Sequence, residues 1–107
     1  MKVQYRIKKH DEFQNVINTG KSVNSQTVKL YFLKNNLGYN RFGISVPTKS
    51  GNAVIRNRIK RQVRAILWKY VNVGSGFDCV IITHRNFDIN NFNQTSRDID
   101  SLFSKVG

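Results

Sequence analysis

Between Gly51 and Tyr70 the chain reads GNAVIRNRIKRQVRAILWKY, with six bases (Arg56, Arg58, Lys60, Arg61, Arg64, Lys69) and no acid. Soluble helices ordinarily interleave the two signs, because like charges three or four residues apart repel. A helix left this cationic gains when phosphates supply the missing charge and condensed counterions are released. Asn57 sits between the Arg56 and Arg58 forks and adds amide donors and an acceptor suited to phosphates and base edges. The chemistry expected here is recognition of a polyanion.

The residues that do other chemistry are sparse and scattered. Protein nucleases gather carboxylates around metal ions, whereas Asp98 and Asp100 are two apart on an expected helix and diverge. His10 and His84 have no acidic motif beside them and read as surface residues, and one cysteine with two histidines lacks zinc-ligand spacing. Cys79, apolar on both sides, reads as a core residue. No catalytic side chain is expected in the chain itself.

Overall charge extends the theme. The 107 residues carry 18 bases and 6 acids, a net +12, which seeks nucleic acid, an anionic membrane surface or an acidic protein. From Phe13 to Phe77 there are eleven Lys or Arg and no acid. No apolar run approaches the ~20 residues of a membrane span, the N-terminus lacks the apolar core of a signal peptide, and Cys79 has no partner for an internal disulfide. These features point to the cytoplasm. The length suits one domain, residues 1–107.

Periodicity sets out the elements that must position the basic segment. Residues 1–9 read as a basic arm. A helix over about 11–19 places Asp11 and Glu12 at its positive end, with Phe13, Val16 and Ile17 on one face and a stop at Gly20. Strands are expected over 27–34 and 41–46, joined by the turn-rich NNLGYN into a hairpin. Val28, Leu30, Phe32, Phe42, Ile44 and Val46 share its apolar faces; Lys29, Tyr31, Leu33, Arg41, Gly43 and Ser45 point the other way. The basic helix spans 52–70, with Ile55, Ile59, Val63, Ile66, Leu67 and Tyr70 inside an arc of about 120°. A loop covers 71–76. FDCVIIT (77–83) reads as a central strand covered on both faces. A last helix over about 91–105 carries Phe92, Ile99, Leu102, Phe103 and Val106. The order is α-β-β-α-β-α, with room for a further short strand near 22–26: an α/β (α+β) two-layer sandwich.

Two aromatic positions stay open. Tyr31, flanked by Lys29 and facing Arg41's side of the sheet, suits a platform for unpaired nucleotides as well as it suits a core tyrosine. Trp68 projects to the basic side of its helix and either stacks on RNA or covers the neighbouring loop.

The block FGISVPTKSGNAVIRNRIKRQVRAIL (42–67) closely resembles the centre of the bacterial ribonuclease P protein component, with the Gly-Asn-Ala-Val-x-Arg-Asn-Arg-Ile-Lys-Arg run intact at 51–61. IKKHDEFQNVINTGKSV (7–23), VKLYFL (28–33) and FDCVIITHR (77–85) extend the resemblance over nearly the whole chain. It implies a ribosomal-protein-like α/β sandwich with a left-handed β-α-β crossover, where the general rule expects a right-handed one. It also implies a non-catalytic subunit of an endoribonuclease. Such a subunit binds ribonuclease P RNA and the 5′ leader of precursor tRNA, and Mg2+ is held mainly by the RNA and substrate.

By the same resemblance, Lys49, Asn52, Arg56, Asn57, Arg58, Lys60, Arg61 and Arg64 bind RNA. Phe13, Ile17 and Tyr31 fall in the leader cleft, and Lys29 and Arg41, which strand alternation turns to the same side as Tyr31, are expected at its rim. Ile17 stands where the family commonly has a second cleft Phe, Pro47-Thr48 replaces a small residue and Lys, and His84 stands where Arg is common. The rival readings are a structural ribosomal RNA-binding protein and a stand-alone endonuclease.

Overall fold

The computed structural model describes residues 3–73, 76–85 and 87–106. A four-stranded sheet of β1 (Lys21–Asn24), β2 (Val28–Lys34), β3 (Arg41–Ser45) and β4 (Phe77–Thr83) has the spatial order β1-β2-β4-β3. Three α-helices pack on it: α1 (His10–Thr19) on one face, α2 (Ala53–Leu67) and α3 (Phe92–Phe103) on the other. Among the described residues no helix is long and apolar enough to cross a membrane.

The hairpin expected between β2 and β3 does not form. β4 lies between them, antiparallel to β2 and parallel to β3. The physical reason lies in β4 itself: Cys79, Val80 and Ile81 are almost fully buried, and a strand apolar on both faces stays dry only with a neighbour on each side and cover above and below. Two of the supposed turn residues clasp it there. Asn35 donates to the Asp78 carboxylate at 2.9 Å. The buried Asn40 donates to the carbonyls of Tyr70 (2.6 Å) and Val73 (2.9 Å) and accepts from the Phe77 amide (2.7 Å). The connecting loop turns through left-handed positions at Asn36 and Gly38, residue types that tolerate them.

Strand alternation sorts the side chains as expected. Val28, Leu30, Phe32, Phe42, Cys79 and Ile81 join Ile59, Val63, Ile66, Leu67, Ile99 and Leu102 in the larger core. The opposite face is a smaller cluster of Ile7, Val16 and Val80, with Phe13, Ile17, Tyr31, Leu33 and Ile82 packed around it.

Several boundaries and faces move. The basic helix ends at Leu67 and passes into a 3-10 turn, Trp68–Tyr70. Its first turn overhangs the core, so Ile55 is exposed rather than buried. On α3 Phe92 is exposed and Thr95 takes the buried position, its hydroxyl donating to the Asn91 carbonyl at 3.2 Å. The N-terminal segment is not a free arm. Arg6 bridges to Phe42 in parallel, the Ile7 amide donates to the Phe42 carbonyl at 2.9 Å, and Ile7 is buried. Met1 and Lys2 of that expected arm, and Gly74 and Ser75 of the expected 71–76 loop, lie outside the described residues.

Candidate nucleic-acid interface

The basic helix is anchored before its charges are considered. Asn52 caps it by accepting from the Ile55 amide at 3.0 Å. Ile59, Val63, Ile66 and Leu67 are buried, together stabilising by about 6–12 kcal/mol. Like-charge pairs on the outer side oppose this by about 0.2–0.5 kcal/mol each. Packing therefore wins, and the helix can present Asn57, Arg58 and Arg61 to solvent with Lys60 and Arg64 half-buried. Asn57, Lys60, Arg61 and Arg64 line a shallow hollow of about 490 Å³ with Val54. Lys49 is exposed at the turn before the helix. Arg56 differs from its neighbours, because its Nη1 donates to the Gly51 carbonyl at 3.0 Å and secures the helix entry.

A second set of cations faces this helix across β3. The docked N-terminal segment alternates, with Tyr5 and Ile7 turned to the protein and Lys8 exposed. Arg6, Lys8, Phe13, Gly43 and Arg64 line a cavity of about 210 Å³, and Lys8, Lys9, Phe13, Ser45 and Lys60 line an adjoining one of about 310 Å³. Burial, and then the charge of Arg6, push the Arg64 pKa down, so a cation pair is held together with the Arg6 Nε buried and unpartnered. An anion entering this groove relieves that repulsion. Sequence reasoning noted these bases but missed that they face Arg64. The alternation of Tyr5 and Ile7 with Arg6 and Lys8 was the signal for a docked, strand-like segment.

The aromatic positions lie on the same sheet face. Registers align Tyr31, Val80 and Gly43 in one row and Lys29, Ile82 and Ser45 in the next. Phe13 covers Gly43, and Ile17 and Tyr31 pack against the same small cluster, all three half-buried. The Lys29 ammonium lies 5.0 Å from the Tyr31 ring centre.

Arg41 does not offer a free charge. Its Nε and Nη2 donate to Asp78 at 2.8 and 2.6 Å, and Nη2 also reaches Glu12 at 2.9 Å. The Asp78 contact above all holds its pKa above the ordinary arginine value.

Other acidic and histidine side chains are engaged in the scaffold. Asp98 accepts from Thr27 and Gln94, and Asp100 binds Tyr70 and Lys69. His84 shares a 2.6 Å hydrogen bond with Asn24. Burial pushes the Cys79 thiol pKa up, which keeps it unreactive. Among the described residues no three His, Cys, Asp or Glu gather into a set that can hold a metal ion.

Comparison with known proteins decides the family. The family model "Ribonuclease P" matches residues 1–107. The chain belongs to the ribonuclease P protein family. It is 39% identical over 109 residues to the ribonuclease P protein component of Bacillus cereus, covering 100% of this chain and 95% of that one. It is 38% identical over 104 residues to that of Mesoplasma florum, covering 95% and 94%.

The fold agrees with solved ribonuclease P proteins. That of Thermotoga maritima superposes with a TM-score of 0.81 at 28% identity, covering 95% of this chain and 97% of that one. That of Staphylococcus aureus gives 0.80 at 29%, covering 94% and 93%. The family is one of RNA-binding, tRNA-processing proteins. Membership separates the chain from the ribosomal-protein reading and implies partnership with ribonuclease P RNA within an endoribonuclease complex.

Proposed function

We propose that the outer face of α2 docks on ribonuclease P RNA, while the groove between α1, the sheet and the N-terminal segment receives the single-stranded 5′ leader of precursor tRNA. The observation that carries this is the groove around Phe13, where cations from two separate elements face one another without a carboxylate among the lining residues. Phosphates are the partner that such a groove accepts, and half-buried Phe13, Ile17 and Tyr31 offer apolar surface for unpaired bases. Lys29 stands beside them, and Arg41 holds α1 against the sheet through Glu12 and Asp78.

Hydrolysis of the phosphodiester is assigned to the RNA. Glu12 and Asp78 are tied to Arg41, Asp98 to Thr27 and Gln94, and Asp100 to Tyr70 and Lys69, and among the described residues no three metal-binding side chains gather. In this reading Mg2+ is held mainly by the RNA and substrate. The protein's part is to bind, to screen phosphate repulsion and to align the substrate. Recovering the chain from cells and sequencing the RNA bound to it tests the reading: ribonuclease P RNA and precursor tRNA are expected, and enrichment of ribosomal RNA alone would overturn it.

A further inference from the structure

Where α2 ends, three aromatic side chains from distant parts of the chain meet at the surface. The Tyr5 ring lies 5.3 Å from that of Tyr39 and 6.3 Å from that of Trp68, edge-on to both. Trp68 leaves 53% of its surface open to solvent, an unusual placement for the largest apolar side chain unless something covers it. The turn of helix leading to it carries Arg61 and Arg64, at three and four residues' spacing, so the three side chains follow one face. Arg6, next to Tyr5 in the chain, is the cation paired against Arg64. The stretch holding Tyr39, Arg61, Arg64 and Trp68 contains no acid. An aromatic surface continuous with arginines that have no carboxylate partner among the described residues fits a base on the ring and its phosphate on the guanidinium.

We infer that Tyr5, Tyr39 and Trp68 form a stacking platform for an unpaired nucleotide of the bound RNA, at the far end of the basic helix from Asn52 and separate from the Phe13–Tyr31 face. The inference rests on the RNA-binding reading above and adds a specific site to it. Stacking asks only for a π-face, so the platform takes any base and prefers unpaired RNA to duplex.

Trp68 is the only tryptophan in the chain, so its emission reports this site alone. The full chain is titrated with a labelled oligoadenylate, binding being followed independently by anisotropy of the label. Tryptophan emission should be quenched in step with binding. Trp68→Leu, which keeps an apolar contact for Tyr5, should weaken binding by about fivefold or more, while Trp68→Phe should stay within about twofold.

Repeating the titration with ribonuclease P RNA, and then adding precursor tRNA with or without its leader, tells which strand supplies the base. RNA bound with emission unchanged, or with Trp68→Leu equal to wild type, would overturn the platform and leave the RNA-binding reading intact. Concentration-dependent emission changes without RNA would assign the patch to a second copy of the chain and also overturn it. No binding of any RNA would remove both.

Discussion

Phe13 lies directly over Gly43: a Cβ at residue 43 would come within 2.7 Å of the Phe13 ring. The glycine is needed for its missing side chain, which lets α1 settle onto β2 and β4 while Phe13 reaches over β3 and forms a wall of the basic groove. Gly43→Ala should destabilise the fold by about 1–3 kcal/mol through overpacking. Thermal unfolding measures this, and adding Phe13→Leu should restore part of the loss.

Arg41 is expected to act on stability rather than on RNA. Its removal leaves Asp78, with 11% of its side chain exposed, without its main partner. Breaking a buried pair costs about 3–5 kcal/mol, and the residual Asn35 contact keeps Arg41→Met toward or below the lower end. Denaturant unfolding should show that loss, while the salt dependence of RNA binding by the folded fraction stays unchanged.

Arg56 and Arg58 should separate in the same experiments. Arg58 is exposed, so Arg58→Ala should leave unfolding unchanged and lower the log–log salt slope of RNA binding by about 0.7–0.9. Arg56→Ala should also loosen the helix entry, through loss of the Gly51 carbonyl contact, by about 0.5–1.5 kcal/mol. Filter binding at several salt concentrations, paired with calorimetry, checks both.

Tyr31 tests the leader face. Tyr31→Ala should lower the ratio of precursor to mature tRNA affinity in the assembled complex by roughly fivefold or more, and Tyr31→Phe should keep most of it, since the ring does the stacking. An unchanged ratio in a folded Tyr31→Ala complex would return Tyr31 to a packing role.

Local pattern carried much of this architecture. The alternation in VKLYFLK and RFGIS assigned both faces of each strand, and the apolar run FDCVIIT marked the central strand. Pairing was not legible, because Asn35 and Asn40 look like turn residues while their amides act on Asp78, Tyr70, Val73 and Phe77, thirty or more residues away. The outward-facing cations of α2 were visible as an acid-free run. Their counterparts Arg6 and Lys8 alternate with Tyr5 and Ile7, which hints at a docked segment, but which strand they dock on was not legible, since it depends on a single parallel bridge from Arg6 to Phe42. Arg41 read as a free charge because its partners, Glu12 and Asp78, are 29 and 37 residues distant.

The central claim is that this chain assists an RNA catalyst and does not itself cut. Cleavage of precursor tRNA by the purified chain, by ribonuclease P RNA, and by the two together at limiting Mg2+ tests it most directly. The chain alone should give no cleavage, the RNA alone slow cleavage, and the two together faster release of the 5′ leader. Magnesium-dependent cleavage at the mature 5′ end by RNA-free protein, or no gain on adding the protein to the RNA, would contradict it.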